Sequence, residues 1–282
     1  EAIVPFYPKN RNFSYTCEDL MDYFEDADID ALILINPDNP SGNFIKKDEV
    51  LRLAEWAGEK GIRLIVDESF ADFADADEPQ SLLSEEILEG YKNLEVVKSI
   101  SKSFGVPGLR LGLVASADEE LIRFIKKDIS IWNINSVAEY YLQICEKYKN
   151  DYISALEKFR FVRKEFVSKL RKVPYLRVIP SQANFVMCEV LGGYPAEKLA
   201  ETLLNEHNIL IKNLSFKKGI NGQYIRVAIK TSEENNLLVN ALKDVLGQAR
   251  RVKRLGADFG IEEAAAFSRQ EAVGYGRKGS CV

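Results

Sequence analysis

Asp30–Gly42 reads DALILINPDNPSG, an apolar run that passes straight into a proline-rich polar turn. A short unbroken run such as Ala31–Ile35 fits a strand buried on both faces, the habit of parallel sheets, and the Asn-Pro-Asp-Asn-Pro-Ser-Gly after it is turn chemistry. Next, Lys46–Lys60 (KKDEVLRLAEWAGEK) puts Val50, Leu53, Ala54 and Ala57 on one helical face, with Gly61 placed to close the helix. Ile62–Phe70 (IRLIVDESF) repeats the first pattern, its apolar part ending at Asp67. A helix is expected around Pro79–Gly90, then strands in LEVVKS (Leu94–Ser99) and LRLGLVAS (Leu109–Ser116). Strand, helix and strand joined by short turns predict an α/β fold with a mostly parallel sheet.

The second half has another texture. Asp118 to Leu170 is nearly all helix-forming, broken at Trp132–Asn135. From Tyr175 come short strands in LRVIP, NFVMCEV, ILIK and YIRVAIK, with helices expected at Pro195–His207 and Ser232–Leu246. This is the pattern of a smaller α+β domain. The expected division is 1–128 for the large domain's C-terminal part, 129–170 for connecting helices, 171–246 for the small domain and 247–282 for an atypical tail. After Gly247 the composition turns to Ala, Gly and Arg, and the tail is expected to be mobile or only loosely packed. The chain opens at Glu1 in EAIVPFYPKNRNFSY, without methionine, and is expected to be a fragment.

With 282 residues the chain has room for one large or two medium domains. A net charge of −5 with both signs interspersed leaves no basic face for nucleic acid or an anionic membrane. No apolar run approaches the roughly 18 residues that span a bilayer, and no signal-peptide pattern opens the chain, so a cytoplasmic location is expected. Cys17, Cys145, Cys188 and Cys281 form no C-x-x-C pair and His207 is the lone histidine, which argues against metal sites and a disulfide framework.

In α/β sheets ligands gather at the carboxyl ends of strands, and three such ends carry unusual chemistry: Asn36–Gly42, Asp67–Phe70 and Ser99–Lys102. Asp67 follows Leu64, Ile65 and Val66, and a carboxylate buried there without a partner is costly. Lys102, in the crowded SISK turn, is a candidate to bond a carbonyl carbon. An acid on a ring nitrogen, a lysine on an aldehyde and an amide on a phenolic oxygen together describe a pyridoxal phosphate site.

NPDNPSG, VDESFADF and SISKSFGVPGLRLG, in this order and spacing, resemble the class I/II aminotransferases, fold-type I enzymes that use pyridoxal 5'-phosphate. The resemblance spans about Glu1–Leu246 and is strongest to the branch with histidinol-phosphate aminotransferase and threonine-phosphate decarboxylase. It implies an aspartate aminotransferase-like fold, a homodimer and an amino acid substrate. It also implies roles for single residues. Lys102 matches the lysine that bonds the cofactor and shuttles the α-proton. Asp67 matches the partner of the pyridine nitrogen, and Asn39 the ligand of the phenolic oxygen. Ser99 and Arg110 match the phosphate ligands, with Ser101 as a further donor, and Gly105, Gly108 and Gly112 let the backbone turn around them. Arg226 matches the arginine that clamps the substrate carboxylate, supported by Asn184. Lys212 stands where phosphate-recognising members carry a basic residue, usually Arg. Phe70 stands where transaminases carry a Tyr that donates to the cofactor. In family members a segment ahead of Glu1 carries a glycine-rich helix N-terminus and a ring-stacking aromatic.

Transamination is the expected reaction. Decarboxylation of a phosphorylated amino acid is the alternative, favoured by Phe70, WNIN (Trp132–Asn135) and ILIKNLSF (Ile209–Phe216). An incomplete, non-catalytic family domain is the third reading.

Overall fold

The computed structural model describes residues 3–76 and 78–258, with side chains to residue 245. In chain order the elements are α1 (Cys17–Phe24), β1 (Ala31–Ile35), α2 (Lys47–Glu59), β2 (Arg63–Asp67), α3 (Glu85–Gly90), β3 (Leu94–Ser99), α4 (Ile100–Ser103), β4 (Gly112–Ala115) and α5 (Glu119–Asp128). Then follow α6 (Ser136–Cys145), α7 (Lys149–Leu170), β5 (Leu176–Val178), β6 (Phe185–Val190), α8 (Ala196–His207), β7 (Lys212–Asn213), β8 (Tyr224–Ala228) and α9 (Ser232–Asp258).

The first sheet has the order β1-β2-β3-β4, parallel except for the antiparallel pair β3–β4. Leu32, Leu34, Leu64, Val66, Leu94 and Val96 pack with Leu20 and Phe24 of α1 and Val50, Leu53, Ala54 and Ala57 of α2. The expected doubly buried β1 is corrected here. Its residues alternate, and Ile33 is 67 % exposed, because α1 and α2 cover one face only.

The second sheet, β5-β6-β8-β7, is antiparallel throughout. Its inner face meets Phe166 and Leu170 of α7, Leu199 and Leu203 of α8, and Leu238 and Leu242 of α9 in a second core.

Several boundaries differ from expectation, each for a local reason. The helix expected from Pro79 starts at Glu85, since buried Glu68 accepts bonds from Ser81 Oγ (2.5 Å) and Leu82 N (2.8 Å) and holds that stretch extended. Ser84 then caps α3 through Ile87 N. The strand expected from Leu109 begins only at Gly112, because Arg110 takes a left-handed φ of 58° after a 3-10 turn at Pro107–Leu109. In ILIK only Lys212 is paired, together with Asn213. The last helix continues past Leu246 to Asp258, so the first part of the expected tail is helical; residues 259–282 lie outside the described ones.

One buried arginine joins the two halves. Arg163 of α7 donates to the carbonyls of Phe73 (2.8 Å), Gln182 (2.8 Å) and Ala183 (3.2 Å) and to Gln182 Oε1 (3.0 Å). Gln182 N in turn donates to Gly42 O at 2.9 Å, and Gln182 Oε1 accepts from Asp75 N. At Gly42, φ is +78° and a Cβ would lie 2.1 Å from Ser181 Oγ, so only glycine fits where the NPDNPSG turn meets the small sheet.

Thiol chemistry separates the two cores from the surface. Cys17 and Cys188 are both 0 % exposed, and burial pushes their thiols up to about 11 and about 12. Alkylation of the native protein at pH 8 is expected to label Cys145 well before either, as read by mass spectrometry. Equal labelling of Cys188 would show that the second core is open.

Candidate active site

The carboxyl ends of β2 and β3 are laced together. Asp67 Oδ1 accepts from Ser69 N (2.9 Å) and Ser69 Oγ (2.5 Å), and Ser69 Oγ accepts from Ser99 N (2.8 Å). An aspartate followed two residues later by serine closes this turn locally, which leaves Asp67 Oδ2 without a hydrogen bond among the described residues. The carboxylate is thereby oriented and half its capacity remains open.

Immediately after Ser99 the chain makes the single turn of α4. Ile100 N donates to Leu111 O (3.2 Å), and the Phe104 ring stacks on Tyr152 with centroids 4.2 Å apart. Ser101 is buried; Lys102 is exposed and has no acidic partner among the described residues. Gly105 takes φ +66°, but Gly108 and Gly112 adopt ordinary conformations, so the tight turn rests on Gly105 and on Arg110 itself. Among the described residues, the exposed Arg110 guanidinium has only the carbonyl of Pro107, at 3.5 Å, as partner.

From the small sheet, Arg226 Nη1 donates to Asn39 Oδ1 at 2.6 Å. Its guanidinium lies over the Phe185 ring, 4.8 Å from the centroid, and Phe185 meets Phe70 edge-on at 5.3 Å. Burial draws the Arg226 pKa below the ordinary arginine value, and the side chain stays charged. Lys212 is paired directly with Arg226 in the β7–β8 ladder, so the two cations share one face. Asn184, at the turn before β6, accepts from Ile229 N through its carbonyl and keeps its amide side chain free among the described residues.

Asn39, Phe70 and Arg226 are thus joined by contact, Lys212 joins them by register, and Asp67 joins Ser99 through Ser69. Ser69 and Phe185 are site residues that the sequence reading passed over. So is Lys98, 8 % exposed, which pairs with Asp72 (2.8 Å) and Glu68 (3.3 Å) beneath the strand ends. Its signal was legible: Leu94, Val96 and Lys98 alternate along β3, which puts the lysine on the buried face.

Among the described residues, the site offers an open carboxylate oxygen, an unpaired amine, an amide and guanidinium groups without acidic partners. This set suits a ligand with a ring nitrogen, an aldehyde and anionic groups. The sequence pattern of aminotransferase class I and II matches residues 2–242. The chain belongs to this family. Members use pyridoxal 5'-phosphate, and the donor set fits it. A CMP-5'-(3-aminopropyl)phosphonate synthase of Streptomyces rubellomurinus is 33 % identical over 240 residues, covering 85 % of this chain and 38 % of its own length. An L-serine phosphate decarboxylase of Sulfurospirillum multivorans is 32 % identical over 257 residues, covering 88 % and 64 %. The solved histidinol-phosphate aminotransferase of Clostridium acetobutylicum superposes with a TM-score of 0.76 at 31 % identity, over 85 % of this chain and 70 % of that one. The chain therefore spans from 38 % to 64 % of the length of these two curated relatives. No described helix is long and apolar enough to cross a membrane.

Proposed function

We propose that this chain carries the core of a pyridoxal phosphate-dependent decarboxylase acting on an α-amino acid with a second anionic group. The observation that carries this reading is the Asn39–Arg226–Phe185–Phe70 contact line, with Lys212 beside Arg226. It presents two cations to a substrate while the aromatic at position 70 offers no hydroxyl. The serine phosphate decarboxylase similarity supports the same class.

In this reading Arg226 and Asn184 hold the α-carboxylate, and Lys212 faces the second anion. Asp67 would pair with the pyridine nitrogen, the amide of Asn39 would hold the phenolic oxygen, and Ser99, Ser101 and Arg110 would hold the phosphate. When bound, the cofactor supplies an electron sink for the bond that breaks at Cα. Lys102 would hold the cofactor through its aldehyde carbon and would be the residue that carries the proton to Cα. The domain division at 128 and 171 accompanies this reading and is supported by the two separate cores. So does a homodimer, for which the exposed Ile131, Trp132, Val137 and Tyr140 provide apolar surface. A reducing, cytoplasmic location is in keeping with the free Cys17, Cys145 and Cys188.

Transamination is the second reading, favoured by the likeness to histidinol-phosphate aminotransferase. Mixing the cofactor-loaded protein with O-phospho-L-serine and no keto acid separates the two. Sustained carbon dioxide release with a persistent cofactor absorbance band is expected. Stoichiometric loss of the band without carbon dioxide would establish transamination, and neither change in any amino acid tested would favour a non-catalytic domain.

A further inference from the structure

The turn at Leu214–Ile220 brings a third cation to Asn39. Lys217 Nζ donates to the Asn39 backbone carbonyl at 3.1 Å, while Arg226 holds the same residue's side-chain oxygen at 2.6 Å. The turn is preformed. Leu214 and Ile220 are buried in a small cluster with Ile179, Met187 and Tyr224, and Lys217 N and Ile220 N close it through the carbonyls of Leu214 and Lys217. Gly219, at φ +81°, lies so close to the Tyr7 ring that a Cβ would fall 2.1 Å from it, which pins the turn from outside. Lys217 and Asn39 line a cavity of about 810 Å³, with Ser41 and Met187 also in its wall. The carboxylate nearest in sequence, Asp38, is taken by Ser41 Oγ (2.6 Å) and Ser41 N (3.1 Å).

We propose that Lys217 is a specificity-determining residue that binds the substrate's second anionic group, a phosphate or phosphonate, beside the carboxylate on Arg226. The proposal rests on the substrate class given above. Its physical basis is the present partner of Lys217: a neutral carbonyl, exchangeable for an anion with a gain in charge pairing. Among the described residues no carboxylate pairs with Lys212, Lys217 or Arg226, so the cluster holds positive charge that a substrate with two anionic groups would neutralise.

Calorimetric titration of the protein with O-phospho-L-serine and with L-serine tests this, alone and in Lys217→Gln and Lys217→Arg. Tighter binding of O-phospho-L-serine is expected. Lys217→Gln is expected to weaken it by about 10- to 100-fold, the value of one charge-assisted hydrogen bond, and to leave L-serine unchanged. Lys217→Arg is expected to retain most of the affinity. In the cofactor-loaded protein, KM for the phosphorylated substrate should rise in Lys217→Gln with kcat preserved. Undiminished O-phospho-L-serine binding in Lys217→Gln, or equal losses for both ligands, overturns the role of Lys217 and leaves the substrate class standing. Equal or absent binding of the two ligands to the unsubstituted protein overturns both.

Discussion

Lys102→Ala is expected to abolish the covalent bond to cofactor and to lower turnover by about 10²- to 10⁴-fold, the range for removing a positioned proton carrier. Borohydride reduction of the cofactor-loaded protein, followed by peptide mapping, should place the adduct at Lys102 in the unsubstituted protein and nowhere in the variant. The rival in space is Lys98, four residues earlier. It is buried, and its Nζ is engaged by Asp72 at 2.8 Å and Glu68 at 3.3 Å beneath the strand ends, so it is not free to reach a carbonyl. Lys102 is exposed and, among the described residues, unpaired. An adduct on Lys98, or a retained adduct in Lys102→Ala, would overturn the assignment. The melting temperature should hardly move, because the Lys102 side chain makes no contact that folding depends on.

Arg163→Met is expected to destabilise the fold by about 2–4 kcal/mol. The methionine fills similar space and spares the cost of desolvating a guanidinium, a cost visible in the Arg163 pKa, which burial pushes down to about 10. It leaves the carbonyls of Phe73, Gln182 and Ala183 without their donor, at about 1–3 kcal/mol for each buried group that stays unpaired. The unpaired carbonyls outweigh the recovered desolvation. Urea unfolding reads the difference, and a loss below about 1 kcal/mol would mean that the two halves are not clasped there. The effect should also reach the site. Gln182 is held by Arg163 and itself holds Gly42 O, so releasing it loosens the register between Asn39 and Arg226.

How far the molecule could be read in advance differs by element. Ala31–Ile35, Arg63–Asp67 and Leu94–Ser99 announced themselves as strands, because short apolar runs bounded by turn residues have few other uses. α2 was legible from the spacing of Val50, Leu53, Ala54 and Ala57, and from Gly61, whose φ of 71° closes it. The start of α3 was not. Glu68 holds Ser81 and Leu82 extended from 13 and 14 residues away, and no local pattern encodes that bond. The strand β4 was expected, but its start was placed at Leu109 instead of Gly112 for a related reason: a left-handed Arg110 has no propensity signature.

At the site, residue types and order along the chain were determined by sequence alone: an aspartate ending one strand, a lysine just past the end of another, an amide in the first turn. Their local geometry follows from neighbours within a few residues, as Ser69 does for Asp67. The meeting of Asn39 with Arg226 and Lys217, across separations of 187 and 178 residues, was decided only by the tertiary structure. Such contacts depend on how two separately formed cores dock, through Arg163, Gln182 and Gly42, and docking is set by the shape and hydrogen bonding of assembled surfaces rather than by any period along the chain.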